Sequence, residues 1–451
     1  GGGFWDDGST WVGGFAPSNT DDVVIKSGHT VTNRDALEHV IRSLTIEDGG
    51  VLTHAYNGST EQYKLILDIL QDFTLESGGQ INVDGKGYAA GHGPGKSPEF
   101  AGAGHGGMGG TQRPLWTAGT TYGSIVSPTN LGSGGYGVYN GHNGGGAVQL
   151  TVGGTSTVQG AISASGSWNP SYLYYGPSGG SVFLTTGWLT GTGTVSARGA
   201  PITGSSFSGG GGGRVAVILT QTNDFGDVSL DAYAAAGGKP GAGGTVYLEH
   251  PGQAPGQGTL VVDYGNITPY TVGCVTLQNG KAASSNQFSA IILTNGGLYG
   301  IDADDVLSLP ATDTIRGDPA NGSDGLWLGG RLNVPADFDT IGSAYYVGVH
   351  MTSAAIRGCA SLTMASGGLF RVNVPFVFDG PVTIQADGVM DHSKNGGEEL
   401  YKIDLTVIGN LDVQEGGAIN TDGKGYSVNA GPGKYVSGNA GAGHGGVGGA
   451  Y

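Results

Sequence analysis

The chain repeats one short pattern, a pair or run of glycines followed by an alternating apolar strand: GGSVFL at 179–184, GGGGGRVAVIL at 209–219 and GGTVYL at 243–248, preceded by GGAVQL at 145–150. Val148, Val182, Val215 and Val246 hold the same place in this pattern. A nearly constant step of roughly 30 residues is typical of architectures in which each unit stacks on the previous one.

A second pattern places a Gly-Gly pair between two short alternating strands. It reads LTIEDGGVL at 44–52, FTLESGGQI at 73–81 and LTMASGGLF at 362–370, with related copies at 382–389 and 411–419. The step from Leu44 to Phe73 equals the step from Val382 to Leu411, and the step from Leu362 to Val382 is shorter. Two period-2 strands joined at a glycine corner are what one coil of a parallel β-helix requires.

A long internal duplication extends over both patterns. Residues 45–110 recur as 383–449, so that INVDGKGY at 81–88 returns as INTDGKGY at 419–426. The duplication predicts a tandem array with a unit of about 338 residues.

These patterns predict an all-β fold in which parallel β-helix or β-solenoid coils are interleaved with glycine-rich tracts resembling polyglycine II helices. The expected organisation is a Trp/Gly capping segment at 1–43, coils at 44–85, a glycine-rich β/polyglycine region at 86–265, coils at 266–422 and a new glycine-rich region at 423–451. Within the first segment, residues 35–41 are expected to form one or two helical turns.

The composition allows disorder as an alternative. The 451 residues include 93 glycines and 18 prolines, a content that borders on that of low-complexity chains. Against disorder stand the 37% apolar residues, the 20 tyrosines and glycines that are phased to the strands. Each glycine costs about 0.5–1 kcal/mol more than alanine to order, so the sequence favours a fold that needs glycine geometry.

Charge excludes two classes of partner. The net charge is −17 and only 12% of residues are charged, which argues against nucleic acid and against insertion into or adsorption onto an anionic membrane. No apolar run of about 18 residues occurs.

The expected location is extracellular or on the cell surface. Cys274 and Cys359 form either one disulfide or two buried thiols.

The candidate metal ligands are carboxylates and an amide on two glycine-flanked loops. Calcium is the one cofactor that the sequence suggests, because hard oxygen ligands on a tight loop suit it. The alternative interpretation is solvated turn residues. The calcium candidates are Asp302, Asp304, Asp305, Asp318, Asn321 and Asp324.

The duplicated Asp84, Lys86 and Tyr88 offer an acid, a cation and a hydroxyl at alternating positions, as some polysaccharide-cleaving β-helix enzymes require. The alternative is an Asp-Gly turn followed by a solvated lysine and a packed tyrosine. No catalytic residue is assigned, and the sequence favours a function other than catalysis.

His105, flanked by glycines, is expected to bond to backbone carbonyls rather than to a metal. Trp5, Trp11 and Trp116 are candidates for stacking on sugars.

The opening segment, with Trp5, Trp11, GG at 13–14, DDVVI at 21–25 and GHTV at 28–31, resembles the start of large secreted bacterial β-solenoid proteins. The glycine tracts resemble the glycine-rich extracellular region of the anaplastic lymphoma kinase receptors. Tandem repetition, scarce charge and the lack of a convergent site favour a structural segment of a bacterial surface fibre or adhesin stalk that assembles end to end with itself or binds surface polysaccharide. The alternative is a secreted polysaccharide lyase, a glycoside hydrolase or a carbohydrate-binding module.

Overall fold

The computed structural model describes residues 2–97, 100–111, 118–137, 142–167, 175–200, 207–234, 238–265, 276–278, 285–301, 305–308 and 380–434, with shorter stretches between 315 and 378 and at 442–444. The fold is all-β. Within these residues the one helical element is a short 3-10 turn, Gly8–Thr10, and every other regular element is a β-strand.

The strands of the first part of the chain are β1 (Gly3–Phe4), β2 (Asp22–Ile25), β3 (Thr30–Asn33), β4 (Glu38–Ile41), β5 (Ser43–Ile46), β6 (Val51–His54), β7 (Leu65–Ile69), β8 (Phe73–Leu75), β9 (Gln80–Asn82), β10 (Ala147–Val158), β11 (Ala161–Ser163), β12 (Ser181–Thr190), β13 (Thr194–Ser196), β14 (Arg214–Leu219), β15 (Ser229–Asp231), β16 (Thr245–Glu249) and β17 (Thr259–Asp263).

The strands of the second part are β18 (Thr276–Leu277), β19 (Ser285–Gln287), β20 (Ala290–Thr294), β21 (Leu298–Ile301), β22 (Val306–Ser308), β23 (Ile315–Arg316), β24 (Gly325–Leu328), β25 (Arg331–Asn333), β26 (Asp337–Asp339), β27 (Ala344–Val347), β28 (Ala355–Arg357), β29 (Ser361–Met364), β30 (Leu369–Val372), β31 (Phe376–Phe378), β32 (Val382–Ile384), β33 (Val389–Asp391), β34 (Leu405–Val407), β35 (Leu411–Val413) and β36 (Ala418–Ile419).

The sheets are built almost entirely from parallel neighbours. One sheet follows the order β1-β3-β6-β9-β11-β13-β15, and a second runs β2-β5-β8-β10-β12-β14-β16-β17-β20-β23 with β4 and β7 beside it. Three further sheets run β18-β21-β24-β27-β30-β33-β36, β19-β22-β25-β28-β31-β34 and β26-β29-β32-β35. Between the described strands, the β16–β17 pair alone is antiparallel. Each strand therefore pairs mainly with a strand from the following section of the chain. We call each such section, which adds one strand to a sheet, a pass.

The register of these pairs follows the spacing in the sequence. Val148 is the Cα partner of Val182, Val182 of Val215, and Val215 of Val246. Leu44 pairs with Phe73, and Val382 pairs with both Leu362 and Leu411. The repeated steps thus correctly predicted which residues are direct neighbours.

The two glycines of each Gly-Gly corner serve different purposes. Gly49 and Gly78 have φ values of +73° and +86°, a left-handed conformation that favours glycine. The second glycine has no positive φ, but a Cβ on Gly50 would lie 2.7 Å from the carbonyl oxygen of Ile25, and one on Gly79 would lie 2.8 Å from that of Ile46. The first glycine therefore makes the turn, and the second allows the chain to approach the preceding strand.

The core lies between the sheets and is filled by the alternate residues of each strand. Ile46, Leu75 and Leu184 are completely buried, whereas their neighbours along the strand are more exposed. Burying one such side chain contributes about 1.5–3 kcal/mol. Repetition of this in-out pattern through successive strands produces two apolar clusters among the described residues, one that extends from Trp5 to Val246 and one that includes Tyr247 and Met390.

The sequence duplication produces the same loop structure twice. Asn57 Nδ2 donates to the carbonyl oxygens of Tyr63 (2.9 Å) and Lys86 (2.8 Å), and its Oδ1 accepts from two backbone N–H groups. Asn395, its equivalent in the second copy, makes the corresponding bonds to Tyr401 (2.8 Å) and Lys424 (3.2 Å). The two copies therefore share a side-chain network as well as a sequence.

The prediction of helical turns at 35–41 was wrong. Glu38–Ile41 is strand β4, which pairs in parallel with β7 over its whole length. Its Ile41 is buried beside Ile69. Pairing with β7 satisfies the backbone and buries Ile41, which an isolated helical turn at the surface could not do.

Candidate functional site

The glycine-rich segments pack against one another through backbone hydrogen bonds. Gly110 N–H donates to the carbonyl oxygen of Gly209 (2.9 Å), and Gly209 N–H donates to that of Lys239 (2.8 Å). A parallel series runs from Gly106 to Gly212 (2.9 Å) and from Gly212 to Ala242 (2.9 Å). We call the glycine-rich segments 87–97, 100–111, 118–137, 142–146, 175–180, 207–213 and 238–244 the glycine bundle.

Close backbone contact explains why these positions are glycine. A Cβ on Gly102 would lie 1.9 Å from the carbonyl oxygen of Gly209, and one on Gly106 would lie 1.9 Å from that of Gly213. A Cβ on Gly212 would be 1.9 Å from the carbonyl oxygen of Ala232. None of these three glycines has a positive φ. They are needed for the close spacing between segments of the bundle, not for turns.

Two basic side chains are enclosed where the bundle meets the sheets. Arg214 is fully buried; its Nε donates to the carbonyl oxygen of Tyr122 (3.0 Å) and its Nη1 to Thr245 Oγ1 (3.1 Å). His105 is also fully buried, and its Nδ1 donates to the carbonyl oxygen of Gly179 (2.9 Å). Burial lowers the pKa of His105 to about 3 and that of Arg214 to about 10. The contacts of Arg214 tie the bundle to strands β14 and β16, whereas the contact of His105 joins two segments within the bundle.

A row of polar side chains runs along one edge of the first sheet. We call it the polar ladder. It lies at the carboxyl ends of β9, β11, β13 and β15, where Asn82, Ser163, Ser196 and Asp231 are register partners. Two residues beyond each of them stand Asp84, Ser165, Arg198 and Tyr233. The sequence analysis missed this row, although the nearly equal steps from Ser165 to Arg198 and from Arg198 to Tyr233 would have aligned three of its members.

The charged groups of the polar ladder are satisfied within the ladder. Asp84 Oδ1 accepts from Ser163 Oγ (2.5 Å) and Ser165 N–H (2.6 Å), and burial raises the pKa of this carboxyl. Arg198 binds Asp231 in a bidentate manner at 2.6 and 2.5 Å and lies over the Tyr233 ring. Its hydrogen bond to Asp231 raises the pKa of the guanidinium. Such an arrangement stabilises the neighbouring strands.

The duplicated Asp, Lys and Tyr residues do not form a common site. In the first copy Asp84 belongs to the polar ladder, whereas in the second copy Asp422 is exposed. Lys424 Nζ lies 2.9 Å from Asp391 Oδ2, and Asp391 also binds Arg371. Tyr426 reaches toward Glu399, with 3.4 Å between the two oxygens. The two copies place these side chains in different surroundings, as expected of residues with structural roles.

Three of the residues predicted to bind ligands, Trp5, Trp11 and Asp305, lie within the described part of the chain. Trp5 is buried against Trp11 and His39, with ring centroids 5.3 and 5.5 Å apart, so its faces are closed to a sugar. Trp11 is half-buried and donates its indole N–H to the Trp5 carbonyl oxygen (2.8 Å). Of the calcium candidates, Asp305 lies buried before β22. The other candidates, Asp302, Asp304, Asp318, Asn321, Asp324, Cys274, Cys359 and Trp116, lie outside the described residues.

Searching the described part of the chain for groups of three or more His, Cys, Asp or Glu side chains that could hold a metal finds none. Within the same residues, no helix has the length and apolar character needed to cross a membrane.

An aromatic residue that the sequence analysis passed over lies on the outer face of the second sheet. Trp188 is 44% exposed on β12 and is the register partner of Thr155 on β10. Thr157 and Thr190 lie beside them with their hydroxyl oxygens 3.2 Å apart. We call these four residues the Trp188 patch. A bulge between Val152 and Thr155 sets the register here, so the outward direction of Trp188 could not be obtained from simple alternation.

Comparison of the chain with protein-family models, with curated proteins and with solved structures finds no match.

Proposed function

We propose that this chain is a rod-like segment of an extracellular structural protein, a stalk or fibre of a bacterial surface, built as a parallel β-solenoid with a glycine bundle along its first half. The rod performs its function through its length and its resistance to unfolding rather than through a pocket. Its partners are further copies of the same repeat.

The observation that carries this proposal is the parallel register between successive passes of the chain. Apart from the antiparallel pair β16–β17, the described strands pair in parallel with strands of the next section of the chain, as in β2 with β5, β5 with β8 and β32 with β35. Strands that stack in this way add about 4.8 Å per pass. About eleven passes separate β5 from its duplicate β32, which corresponds to about 50 Å of rod for each duplicated unit.

The glycine bundle supports the same function. Backbone groups of the bundle bond to each other at 2.7–3.3 Å and few side chains intervene, so the packing resembles that of polyglycine II helices. A protein made in this manner offers a protease few exposed loops. The bundle also braces the rod laterally, because Arg214 at the start of β14 bonds to Tyr122 of the bundle.

The polar ladder argues against an active site. The carboxylates of Asp84 and Asp231 have hydrogen-bond partners inside the protein, and the guanidinium of Arg198 is engaged by Asp231. A catalytic acid or base needs a group that is free to exchange a proton with substrate.

Electron microscopy of the native surface material tests the proposal. We expect filaments with an axial repeat of about 50 Å or a multiple of it. In parallel, the purified chain is incubated with acidic and neutral polysaccharides, and we expect no cleavage. Globular particles without an axial repeat would contradict the structural function. Polysaccharide turnover that is abolished by Asp84→Asn or Arg198→Ala would replace it with an enzymatic one.

A second candidate function, carbohydrate binding, is favoured by the Trp188 patch. An exposed indole beside three threonine hydroxyls combines a stacking surface with hydrogen-bonding groups. Binding of polysaccharide to the chain, measured by affinity electrophoresis, would be weakened by Trp188→Ala and unchanged by Val12→Ala, which removes an exposed apolar side chain elsewhere. Equal mobility of all three proteins in every polysaccharide gel would eliminate this candidate.

A further inference from the structure

Four threonines occupy equivalent positions on four successive strands of the second sheet. Thr45 of β5 is the register partner of Thr74 of β8. Thr74 is in turn the partner of Thr157 of β10, and Thr157 that of Thr190 of β12. We call these four residues the threonine row. Neighbouring strands of a sheet are about 4.8 Å apart, so the row extends for about 14 Å along the direction in which the strands stack.

The threonine row lies on the outer face of the sheet. Thr190 is exposed, and the other three members are half-buried. Successive side chains of a strand point to opposite faces, so a row whose neighbours are in the core must point outward. Their neighbours within the strands are all buried: Leu44, Ile46, Phe73, Leu75, Ser156, Val158 and Leu189.

Trp188 stands beside one end of the threonine row. It precedes Thr190 by two residues on β12 and is 44% exposed on the same face. Its register partner Thr155 stands two residues before Thr157, whose hydroxyl oxygen is 3.2 Å from that of Thr190. The indole and the row therefore form one continuous surface, with an aromatic ring at one end and hydroxyl groups along the remainder.

The chemistry of this surface matches that of a polysaccharide. A threonine hydroxyl both donates and accepts hydrogen bonds, and its β-branched side chain is stiff about χ1. Threonines on paired strands therefore hold their hydroxyls at fixed positions and lose little entropy on binding. A linear polysaccharide carries hydroxyl groups at regular intervals, and the C–H face of a sugar ring can stack on the apolar face of an indole.

Carboxylates border the middle of the threonine row. Asp72 and Glu76 stand two residues before and two residues after Thr74, and both are exposed. Asp72 Oδ1 accepts from Thr155 N–H (2.8 Å), which fixes this carboxylate beside the row. An anionic polysaccharide would be repelled here, so the surface favours a neutral one. The basic side chains next to β5 already bind carboxylates: Lys26 binds Glu47, and Arg42 binds Asp22.

On the basis of the carbohydrate-binding function considered above, we propose that a neutral linear polysaccharide binds along the threonine row, parallel to the direction in which the strands stack. One sugar ring stacks on Trp188, and the chain continues over Thr157, Thr74 and Thr45, whose hydroxyls bond to its hydroxyl groups. Each strand contacts a further part of the polymer, so the affinity rises with the length of the oligosaccharide. The ligand lies along the rod and needs no pocket.

Isothermal titration calorimetry of the full chain with neutral cello-oligosaccharides and N-acetylated chito-oligosaccharides, from disaccharide to hexasaccharide, tests the proposal. We expect saturable binding of at least one series, with a Kd that falls as the oligosaccharide lengthens. Trp188→Ala should weaken binding of the hexasaccharide at least about tenfold, because it removes the stacking surface.

The variant Thr74→Val/Thr157→Val tests the path of the ligand. Valine keeps the β-branched shape and removes the hydroxyl, so the variant should fold normally, which circular dichroism verifies. Binding of the hexasaccharide should be about tenfold weaker, because two hydrogen bonds are lost. Thr194→Val, at an exposed threonine on β13 of the first sheet, is the matched control and should bind as the parent does.

Three results would overturn the proposal, and they differ in what else they affect. Unchanged binding by Thr74→Val/Thr157→Val, with binding lost in Trp188→Ala, would reject the path along the row and leave sugar binding at the Trp188 patch in place. Tighter binding of oligogalacturonates of the same length would reject a neutral ligand. Absence of saturable binding by both neutral series would reject this proposal together with the carbohydrate-binding candidate, whereas the rod is tested separately by microscopy.

Discussion

Gly244 and Gly213 are in direct backbone contact. A Cβ added to Gly244 would lie 1.8 Å from the carbonyl oxygen of Gly213, and the N–H of Gly244 donates to the carbonyl oxygen of Ala232 (2.7 Å). The residue has no positive φ, so its identity is determined by the neighbouring segment alone. Contacts of this kind hold neighbouring segments of the glycine bundle together.

The first prediction concerns these contacts. Gly244→Ala should lower the free energy of unfolding by about 1–3 kcal/mol or more, because the backbone must move to admit the methyl group. Urea denaturation followed by fluorescence provides the measurement. The control is Gly397→Ala, at an exposed glycine with no atom within 4 Å of its Cβ position, which should leave stability within about 0.5 kcal/mol of the parent. Equal effects of the two substitutions would show that the bundle is not closely packed.

The second prediction concerns pH. His54 is buried; its Nδ1 donates to the Ala55 carbonyl oxygen (2.8 Å) and its Nε2 accepts from Ala147 N–H. Burial lowers the pKa of His54 to about 4. The unfolded chain takes up a proton at this residue below about pH 6.5, whereas the folded chain does so only near pH 4. The contribution of His54 to stability should therefore decrease by about 3 kcal/mol as the pH falls through this window.

The variant His54→Gln tests this assignment, because an amide can accept the Ala147 N–H without titrating. The slope of unfolding free energy against pH between about 4 and 6.5 should decrease by the equivalent of about one proton. An unchanged slope would mean that His54 is not the group responsible.

The third prediction concerns the polar ladder. Asp231 is 2% exposed and receives both hydrogen bonds of the Arg198 fork. Asp231→Asn should cost about 1–3 kcal/mol of stability, because a buried charge-assisted pair is lost. Glu47→Gln breaks the exposed pair with Lys26 and should cost less than about 0.5 kcal/mol. Equal losses in the free energy of unfolding for the two variants would show that the Arg198–Asp231 pair contributes no more to stability than an exposed ion pair.

The fourth prediction uses the two copies of the asparagine loop. Asn57→Ala and Asn395→Ala should each lower the free energy of unfolding by about 2–3 kcal/mol, because the same four hydrogen bonds are removed from a buried site. Asn19→Ala, at an exposed residue, serves as the control. A large cost in one copy only would show that the duplicated loops are not structurally equivalent.

Sequence spacing was sufficient to predict strand register, because the repeated step determines which residues become neighbours. It placed Val148 and Val182 at the same position of the repeated pattern, and they are register partners; Gly49, at a glycine corner of the second pattern, has a positive φ. It did not reveal why Gly50 is glycine, since that depends on the carbonyl oxygen of Ile25 in the preceding pass. It also misjudged residues 38–41, where pairing with β7 overrides local helix propensity.

The candidate sites were less accessible to prediction. Glycine has no side chain, so nothing in the sequence indicates that Gly102 would lie beside Gly209, which is remote from it along the chain. The polar ladder is assembled from single residues on four strands, so it becomes visible only when the passes are aligned. Trp5 and Trp11 were candidates for stacking on sugars, but Trp5 is buried against Trp11, whereas Trp188 is 44% exposed.

Electron microscopy of tandem arrays tests most directly whether the chain extends as a rod. Proteins with one, two and four copies of the repeat unit 45–382 are imaged by negative stain, and particle length is measured. The account predicts straight particles of constant width whose length increases by about 50 Å per unit. Separate globular particles joined by flexible linkers, without a linear increase of rod length with the number of units, would contradict it.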